Sequence, residues 1–216
     1  KDSGGAAGIS LGIGLTCGAE RESAVSKITS ESGFDLLTPV HEIGHQMGAE
    51  HRFNKIDQRA PTAAFEPGFG YSIMSHGGDD IFGSFHVRSV EQIVAFTQIG
   101  SGSSCGEELP TGNTIPEVTA PSGFNIPKQT PFSLTATATD ADGDTLTYAW
   151  QEYDLGFSSP PDTDVDGNVR PILRAYDPVS DPTRFFPSLP FIRNNANVPP
   201  ALSTCNGQPC LTLESL

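Results

Sequence analysis

Residues 41–51 read HEIGHQMGAEH and contain three of the five histidines of the chain. If this stretch forms a helix, His41 and His45 lie on one face, because residues four positions apart are neighbours on a helix surface. Gly48 can adopt a positive φ and end the helix, which lets His51 turn back toward the same point. Three neutral imidazoles suit zinc. We therefore predict a helix that ends in a glycine turn, and a zinc ion held by His41, His45 and His51.

Glu42 follows the first of these histidines directly, so we expect its carboxylate to lie beside the predicted metal site. Three protein ligands leave the fourth position of tetrahedral zinc open for water, as in catalytic rather than structural zinc sites. Bound zinc lowers the pKa of this water to about 7, and a neighbouring carboxylate can accept its proton. Glu42 is thus the predicted general base of a hydrolytic reaction. The alternatives are histidines that face solvent on a polar helix, or a zinc ion bound without activity.

The composition limits the classes of partner. With 26 acidic and 12 basic residues the net charge is -14, so the chain should repel nucleic acid and anionic lipid. It has no run of about 18 apolar residues, so we expect no insertion into a membrane. Its four cysteines include no C-x-x-C pair, which favours disulfides and therefore a secreted, extracellular protein. Four cysteines can form two disulfides in three ways, and their number alone does not choose among the pairings of Cys17, Cys105, Cys205 and Cys210.

The character of the sequence changes after about residue 100. The first part mixes a glycine-rich apolar stretch with the histidine-rich segment, whereas residues from 111 onward alternate like strands and are rich in proline. Residues 101–117 have the Gly, Ser and Pro content of a linker. We therefore predict two domains, residues 1–108 and residues 109–216.

Local signals predict the main elements of the first domain. Residues 7–15 are typical of a strand interrupted by glycines. The histidine helix should begin near Thr38, which can cap it, with Pro39 at the first helical position. A second, short helix should begin at Ser89, with an apolar face that is formed by Val90, Ile93, Val94 and Ile99.

The second domain shows the period-two pattern of strands. Residues 132–140, FSLTATATD, and residues 145–154, TLTYAWQEYD, alternate around the turn DADGD, which predicts a hairpin. Trp150 is the predicted core anchor between two sheets, and an immunoglobulin-like β-sandwich is the simplest architecture. The predicted fold class of the whole chain is α+β.

The zinc stretch and several others resemble a known family. HEIGHQMGAEH matches the extended zinc signature of the metzincin metallopeptidases, and YSIMSH at residues 71–76 resembles their Met-turn, with Met74 beneath the metal. Among metzincins the chain looks most like the reprolysin, or adamalysin, branch, and in particular like secreted bacterial reprolysin-like peptidases. The likeness extends to GGAAGISLGIGLTC (4–17), FEPGFGYSIMS (65–75), FHVRSVEQI (85–93) and the β segment of residues 126–154.

This resemblance implies a zincin domain with zinc helix, Met-turn and C-terminal helix, followed by an immunoglobulin-like β domain. The implied activity is that of a zinc endopeptidase, with Glu42 passing a proton to the leaving amine and a peptide or protein substrate aligned along the edge strand near residues 7–9. It also implies that Cys17 pairs with Cys105, which leaves Cys205 with Cys210.

The chain departs from the family pattern in two places. Two residues after the methionine, where related enzymes often have tyrosine, it has His76, which could donate a hydrogen bond to the developing oxyanion. A loop histidine satisfied by solvent is the alternative. His86 either lines the specificity pocket or is a half-buried histidine before a helix. Only 40 residues precede His41, so we expect that most of the N-terminal sheet is missing, and that a further segment or a partner chain completes it.

Two acidic stretches are candidates for calcium. Carboxylates of Asp140, Asp142 and Asp144 in DADGD could bind calcium, although an acidic turn without metal is the alternative. DTDVDGN resembles the first half of a calcium loop, but Leu173 stands where such a loop has its last carboxylate. Its acidic residues are Asp162, Asp164 and Asp166.

A function from another class is compatible with the same residues. In that alternative the chain is a non-catalytic adhesion or structural assembly module derived from a peptidase, and the β domain carries its function. Zinc-dependent hydrolysis of a peptide would separate the two.

Overall fold

Helix α1 positions the predicted metal site, and it is longer than the sequence pattern predicts. In the computed structural model it comprises Gly33–Gln46 and contains Pro39 in its interior. The prediction of a start near Thr38 is therefore wrong, because the preceding residues are helical too although Pro39 lacks the amide that would bind the carbonyl of residue 35. The predicted end is confirmed, since Gly48 has a φ of 96° and its N–H donates to the carbonyl of His45.

The described part of the chain comprises residues 8–10, 12–18, 24–26, 33–54, 60–76, 83–127, 130–156, 171–193, 203–205 and 208–210. After α1, the second helix α2 is Val87–Val94, continued by a π-helical turn at Ala95–Ile99 and a 3-10 turn at Ser101–Ser104. The remaining elements are strands β1 (Gly8–Ser10), β2 (Ala24–Ser26), β3 (Glu117–Thr119), β4 (Phe132–Thr135), β5 (Thr137–Thr139) and β6 (Thr183–Phe186), helix α3 (Leu189–Arg193), and strands β7 (Ser203–Cys205) and β8 (Gln208–Cys210). This mixture of helices and sheets agrees with the predicted α+β class.

The glycine-rich N-terminal segment forms a short strand and then covers the end of α1. Strand β1 pairs with β2 in antiparallel register, with Ile9 opposite Val25, and both lie against α1. Beyond β1 the predicted strand does not continue. Instead the N–H groups of Gly14 and Thr16 donate to the carbonyls of His45 and Gln46, which have no partner within the helix.

Helix α2 begins at Val87, two residues before the predicted start at Ser89, because His86 is the residue that caps it. The Nδ1 atom of His86 accepts a hydrogen bond from the N–H of Arg88 at 3.1 Å. Of the four residues predicted to form an apolar face, Ile93 packs on the core cluster of Ala49, Ile73 and Met74, whereas Val90, Val94 and Ile99 are exposed.

The disulfide between Cys17 and Cys105 is present, as the resemblance implies, and it ties the end of the α2 region to the segment that covers α1. The side chains of Cys205 and Cys210 lie outside the described residues, so their pairing stays a prediction.

The second half of the chain pairs its strands differently from the predicted hairpin. Strand β4 pairs with β6 and strand β5 pairs with β3, while Tyr148 forms an isolated bridge with Val179. The turn itself forms, with Gly143 at a φ of 80°, but the following residues do not return along β4 and β5. Instead, the side chain of Gln151 and the carbonyl of Glu152 bind the start of α2. The hairpin prediction is therefore wrong.

The sheets of the described residues each contain two strands. Trp150 is half-buried, donates from Nε1 to the carbonyl of Pro182 at 2.9 Å, and meets the ring of Phe186 edge to face. The immunoglobulin-like architecture and the domain boundary at residue 108 stay predictions. Within the described residues, no helix is long and apolar enough to cross a bilayer.

Residues 151–153 join the second half of the chain to the first. The side-chain oxygen of Gln151 accepts from the N–H of Val87 at 2.6 Å, and the carbonyl of Glu152 accepts from Nε2 of His86 at 3.1 Å. The ring of Tyr153 stacks on Phe65 with a centroid distance of 4.9 Å. The two predicted domains therefore share hydrogen bonds and an aromatic contact.

Removal of the disulfide should lower the stability strongly. Cys17 and Cys105 are 88 residues apart, and in the chain-entropy description a closed loop of this length stabilises the folded state by about 4.6 kcal/mol. We expect Cys17→Ser/Cys105→Ser to lower the free energy of unfolding in urea by about that amount. The exposed substitution Glu107→Ala is the control, and an unchanged urea midpoint in the double variant would contradict the expectation.

Candidate metal centre

The structure brings the three predicted zinc ligands together. One ligand nitrogen from each of His41, His45 and His51 lies within 4.8 Å of the other two. The Nε2 atoms of His45 and His51 are 3.1 Å apart, and the ring centroids of His41 lie 4.7 Å from His45 and 5.3 Å from His51. Within the described residues this is the one group of His, Cys, Asp or Glu side chains that could hold a metal ion.

Two backbone carbonyls orient the helical histidines. Nδ1 of His41 lies 2.6 Å from the carbonyl oxygen of Ile73, and Nδ1 of His45 lies 2.7 Å from that of Ala49. A carbonyl only accepts hydrogen bonds, so each Nδ1 carries the proton and each Nε2 keeps its lone pair. That is the tautomer in which Nε2 can bind a metal.

Burial keeps these imidazoles neutral. Burial, together with the nearby His45 and His76, lowers the pKa of His41 to about 4, although the hydrogen bond to the Ile73 carbonyl acts in the opposite direction. Burial is also the main cause that lowers the pKa of His45. A metal binds neutral imidazole, so the environment favours the ligand form of both side chains.

A buried polar network fixes the segment that carries His51. Arg52 has no exposed surface, donates from Nε to the carbonyl of Glu50 at 2.9 Å, and contacts the side-chain oxygen of Gln92. Gln92 also accepts from the N–H of Glu50 at 3.0 Å and donates to its carboxylate at 2.7 Å. These contacts cross from α2 to the residues on either side of His51.

Met74 lies fully buried beneath α1. A Cβ atom at Gly44 would overlap the sulfur of Met74 and would lie 3.2 Å from Cε1 of Phe85. The carbonyl of Met74 accepts from the N–H of Arg52 at 2.9 Å, next to His51. The segment predicted as a Met-turn thus contacts both the helix and the loop that supply the histidines.

Glu66 is a buried residue of the site region that sequence reasoning missed. Its carboxylate is 1% exposed and accepts hydrogen bonds from the N–H of Tyr71 at 3.1 Å and from the hydroxyl of Ser75 at 2.7 Å. Ser72 donates both from its N–H at 3.1 Å and from its hydroxyl at 2.5 Å. The sequence offered one signal for this role: Glu66 is a single acidic residue between apolar neighbours, and two serines follow it along the chain.

Glu42 is nearly buried, on the side of α1 that faces strand β1. Burial raises the pKa of its carboxyl above the usual value, and a hydrogen bond from the Ser10 backbone acts in the opposite direction. A carboxylate with little access to water, one residue from His41 in the sequence, is compatible with a role in proton transfer.

His76 lies against the cluster without being one of its three members. Its ring centroid is 4.5 Å from that of His51 and 5.7 Å from that of His41, and the ring also contacts Phe53.

His86, in contrast, uses Nδ1 to cap α2 and Nε2 to bind the carbonyl of Glu152. The structure therefore favours the packing interpretation of His86 over a role in a specificity pocket.

The calcium candidates receive no support from the described residues. Asp140 accepts hydrogen bonds from the N–H groups of Asp142 and Asp144, and Asp142 accepts one from the N–H of Thr114. These contacts form an acidic turn that needs no metal. The second candidate, with Asp162, Asp164 and Asp166, lies outside the described residues. Calcium binding stays a prediction.

Comparison with known proteins agrees with the geometry. The model of the family described as metallo-peptidase family M12B, reprolysin-like, matches residues 2–102, which include the histidine cluster, Glu42 and the Met-turn segment. No curated protein and no solved structure matches the chain. The family match, over less than half of the chain, and the three histidines together suggest a zinc peptidase.

Gly44→Ala should destabilise the protein, although alanine normally favours a helix over glycine by about 1 kcal/mol. The added methyl group would collide with Met74 and crowd Phe85, so we expect the free energy of unfolding to fall by about 1–3 kcal/mol in urea titration. Gly83→Ala is the matched control, because no atom lies within 4 Å of its added Cβ. Equal stability of the two variants would show that Met74 does not pack as described.

Proposed function

We propose that this chain is a secreted zinc endopeptidase of the metzincin type, in its reprolysin-like branch, which hydrolyses peptide bonds in protein substrates. The observation that carries the proposal is the approach of one nitrogen from each of His41, His45 and His51 to within 4.8 Å of one another, in a region that the M12B model matches. The disulfide between Cys17 and Cys105 supports the extracellular location.

The residues present fit a catalytic zinc ion. Three imidazoles, two of them kept neutral by burial and oriented by backbone carbonyls, form a ligand set with an open position. When bound there, zinc would supply a Lewis acid that polarises the substrate carbonyl and lowers the pKa of water to about 7. The chain itself has to orient the ligands, position the peptide and move the proton.

Glu42 is the proposed proton carrier. Its carboxylate oxygen accepts the proton of the attacking water and later delivers it to the nitrogen of the leaving amine, so no covalent intermediate with the protein is needed. Its place next to His41 on α1 and its small exposure support this role. The neighbouring strand β1, whose Ser10 backbone contacts the carboxylate, is the proposed edge along which the substrate backbone binds.

His76 is the proposed donor to the developing oxyanion. Its ring lies 4.5 Å from the ring of His51, on a loop whose backbone is fixed by the hydrogen bond from the N–H of His76 to the carbonyl of Phe69 at 2.9 Å. A ring N–H beside the ligand cluster can stabilise negative charge on the substrate oxygen more in the transition state than in the ground state.

Glu42→Gln tests the proton-transfer role. The amide cannot accept the water proton, so we expect kcat on a quenched peptide library to fall by about 10³-fold while zinc content stays near that of the unmodified protein. His45→Ala should lose both zinc and activity, and a chelator should abolish hydrolysis by the unmodified protein. Glu108→Gln, in the exposed segment after α2, is the control.

Retained hydrolysis by Glu42→Gln would refute the proton-transfer role. If the unmodified protein binds zinc but hydrolyses no peptide of the library, the alternative of a non-catalytic module is favoured instead.

His76→Phe tests the oxyanion role. The ring keeps its packing on Phe53 but loses the N–H, and removal of one oxyanion donor typically lowers kcat by about 10²-fold or more. We expect that loss with little change in KM and with zinc retained, measured by steady-state kinetics and elemental analysis. Unchanged kcat would assign His76 to the alternative of a loop histidine satisfied by solvent.

A further inference from the structure

We propose that Glu66 is a positioning residue of the metal site, whose carboxylate holds the 71–75 turn in the shape that orients the zinc ligands. This inference rests on the proposed function, because it concerns the same site. It assigns a role to a carboxylate that neither binds the metal nor moves a proton.

The hydrogen bonds of Glu66 occupy its whole carboxylate. Oε1 accepts from the N–H groups of Tyr71 and Ser72, both at 3.1 Å, and Oε2 accepts from the hydroxyls of Ser72 and Ser75 at 2.5 Å and 2.7 Å. An ionised carboxylate offers about four acceptor positions, so these donors use all of them. Hydrogen bonds to a charged acceptor are roughly twice as strong as neutral ones, which suits a rigid turn.

The turn that Glu66 holds carries the carbonyls that reach the site. Ser72 and Ser75, both bound to Glu66, bracket Ile73 and Met74 in the sequence. The carbonyl of Ile73 lies 2.6 Å from Nδ1 of His41, and the carbonyl of Met74 accepts from the N–H of Arg52 beside His51. A shift of the turn would therefore move the carbonyl of Ile73, which orients His41. It would also move the carbonyl of Met74, which holds the segment that carries His51.

The buried carboxylate has a positive partner. Glu66 interacts electrostatically with Arg52, which has no exposed surface. The N–H of Glu66 also donates to the carbonyl of Arg52 at 2.9 Å. The carboxylate is thus connected by charge and by backbone to the segment that bears His51, as well as to the turn.

An amide at this position cannot replace the carboxylate. Glutamine has one acceptor oxygen, and its NH₂ group would face N–H and hydroxyl donors that also need an acceptor. At least two of the donors on Tyr71, Ser72 and Ser75 would lose their partner in the interior. Because the turn would then relax, the tautomer and direction of His41 would be less well defined.

The test compares Glu66→Gln with Glu152→Gln in zinc-loaded and cobalt-loaded protein. Glu152 is the matched control, since its carboxylate also accepts from two backbone N–H groups, those of Ile172 and Leu173, but not in the 71–75 turn. For Glu66→Gln we expect zinc affinity to fall by about 10-fold to 100-fold, a changed visible spectrum of the cobalt form, and a lower kcat with KM nearly unchanged. For Glu152→Gln we expect none of these, whatever its loss of stability.

A second variant covers the case in which Glu66→Gln does not fold. Ser75→Ala removes one hydrogen bond from the carboxylate and should shift the cobalt spectrum and zinc affinity in the same direction, by a smaller amount. Glu66→Gln or Ser75→Ala with the cobalt spectrum and zinc affinity of Glu152→Gln would overturn the proposal, because Glu66 would then serve stability alone. These metal readouts are independent of peptidase activity, so they test the positioning role even if the protein hydrolyses no peptide.

Discussion

Three imidazoles have to present their lone pairs to one point, and each of them is free to rotate unless its other nitrogen is held. In this protein the Nδ1 atoms of His41 and His45 are held by carbonyls from two different segments, those of Ile73 and Ala49. One carbonyl belongs to the turn below α1 and the other to the bend after Gly48. The site therefore depends on how these two segments are fixed against the helix.

Fixing these segments requires polar groups in the interior. Arg52, Glu66 and Gln92 lie around the histidine segments and bind backbone groups that would otherwise lack a partner. A buried charge is costly unless an opposite charge lies near it, and here the carboxylate of Glu66 interacts with the guanidinium of Arg52. The apolar core beside them is small, with Ala49, Ile73 and Met74 at its centre. Polar contacts thus determine the local geometry as much as apolar packing does.

The second half of the chain also contacts the turn that Glu66 binds. The guanidinium of Arg174 lies 3.7 Å from the ring centroid of Tyr71, a residue of the turn that Glu66 holds, and Ala175 packs with the same tyrosine. Since residues 151–153 also bind the start of α2, the predicted β domain directly contacts the region that the M12B model matches.

The sequence by itself determined the features that depend only on residues within one or two helical turns of one another. The spacing of His41, His45 and His51 predicted their approach, and Gly48 predicted the bend, because both follow from helix geometry and from the freedom of glycine at positive φ. The resemblance added the pair of Cys17 and Cys105.

Only the tertiary structure decided the features that join distant segments. It set the start of α1, the strand partners of β4 and β5, and the roles of Glu66 and Gln92. The contact between Gln92 and Glu50 joins residues 42 positions apart, and the periodicity of a helix or strand contains no information about such a partner. A polar side chain can fix a distant segment only when folding places unpaired backbone groups of that segment within hydrogen-bonding distance. That placement depends on the packing of the whole chain.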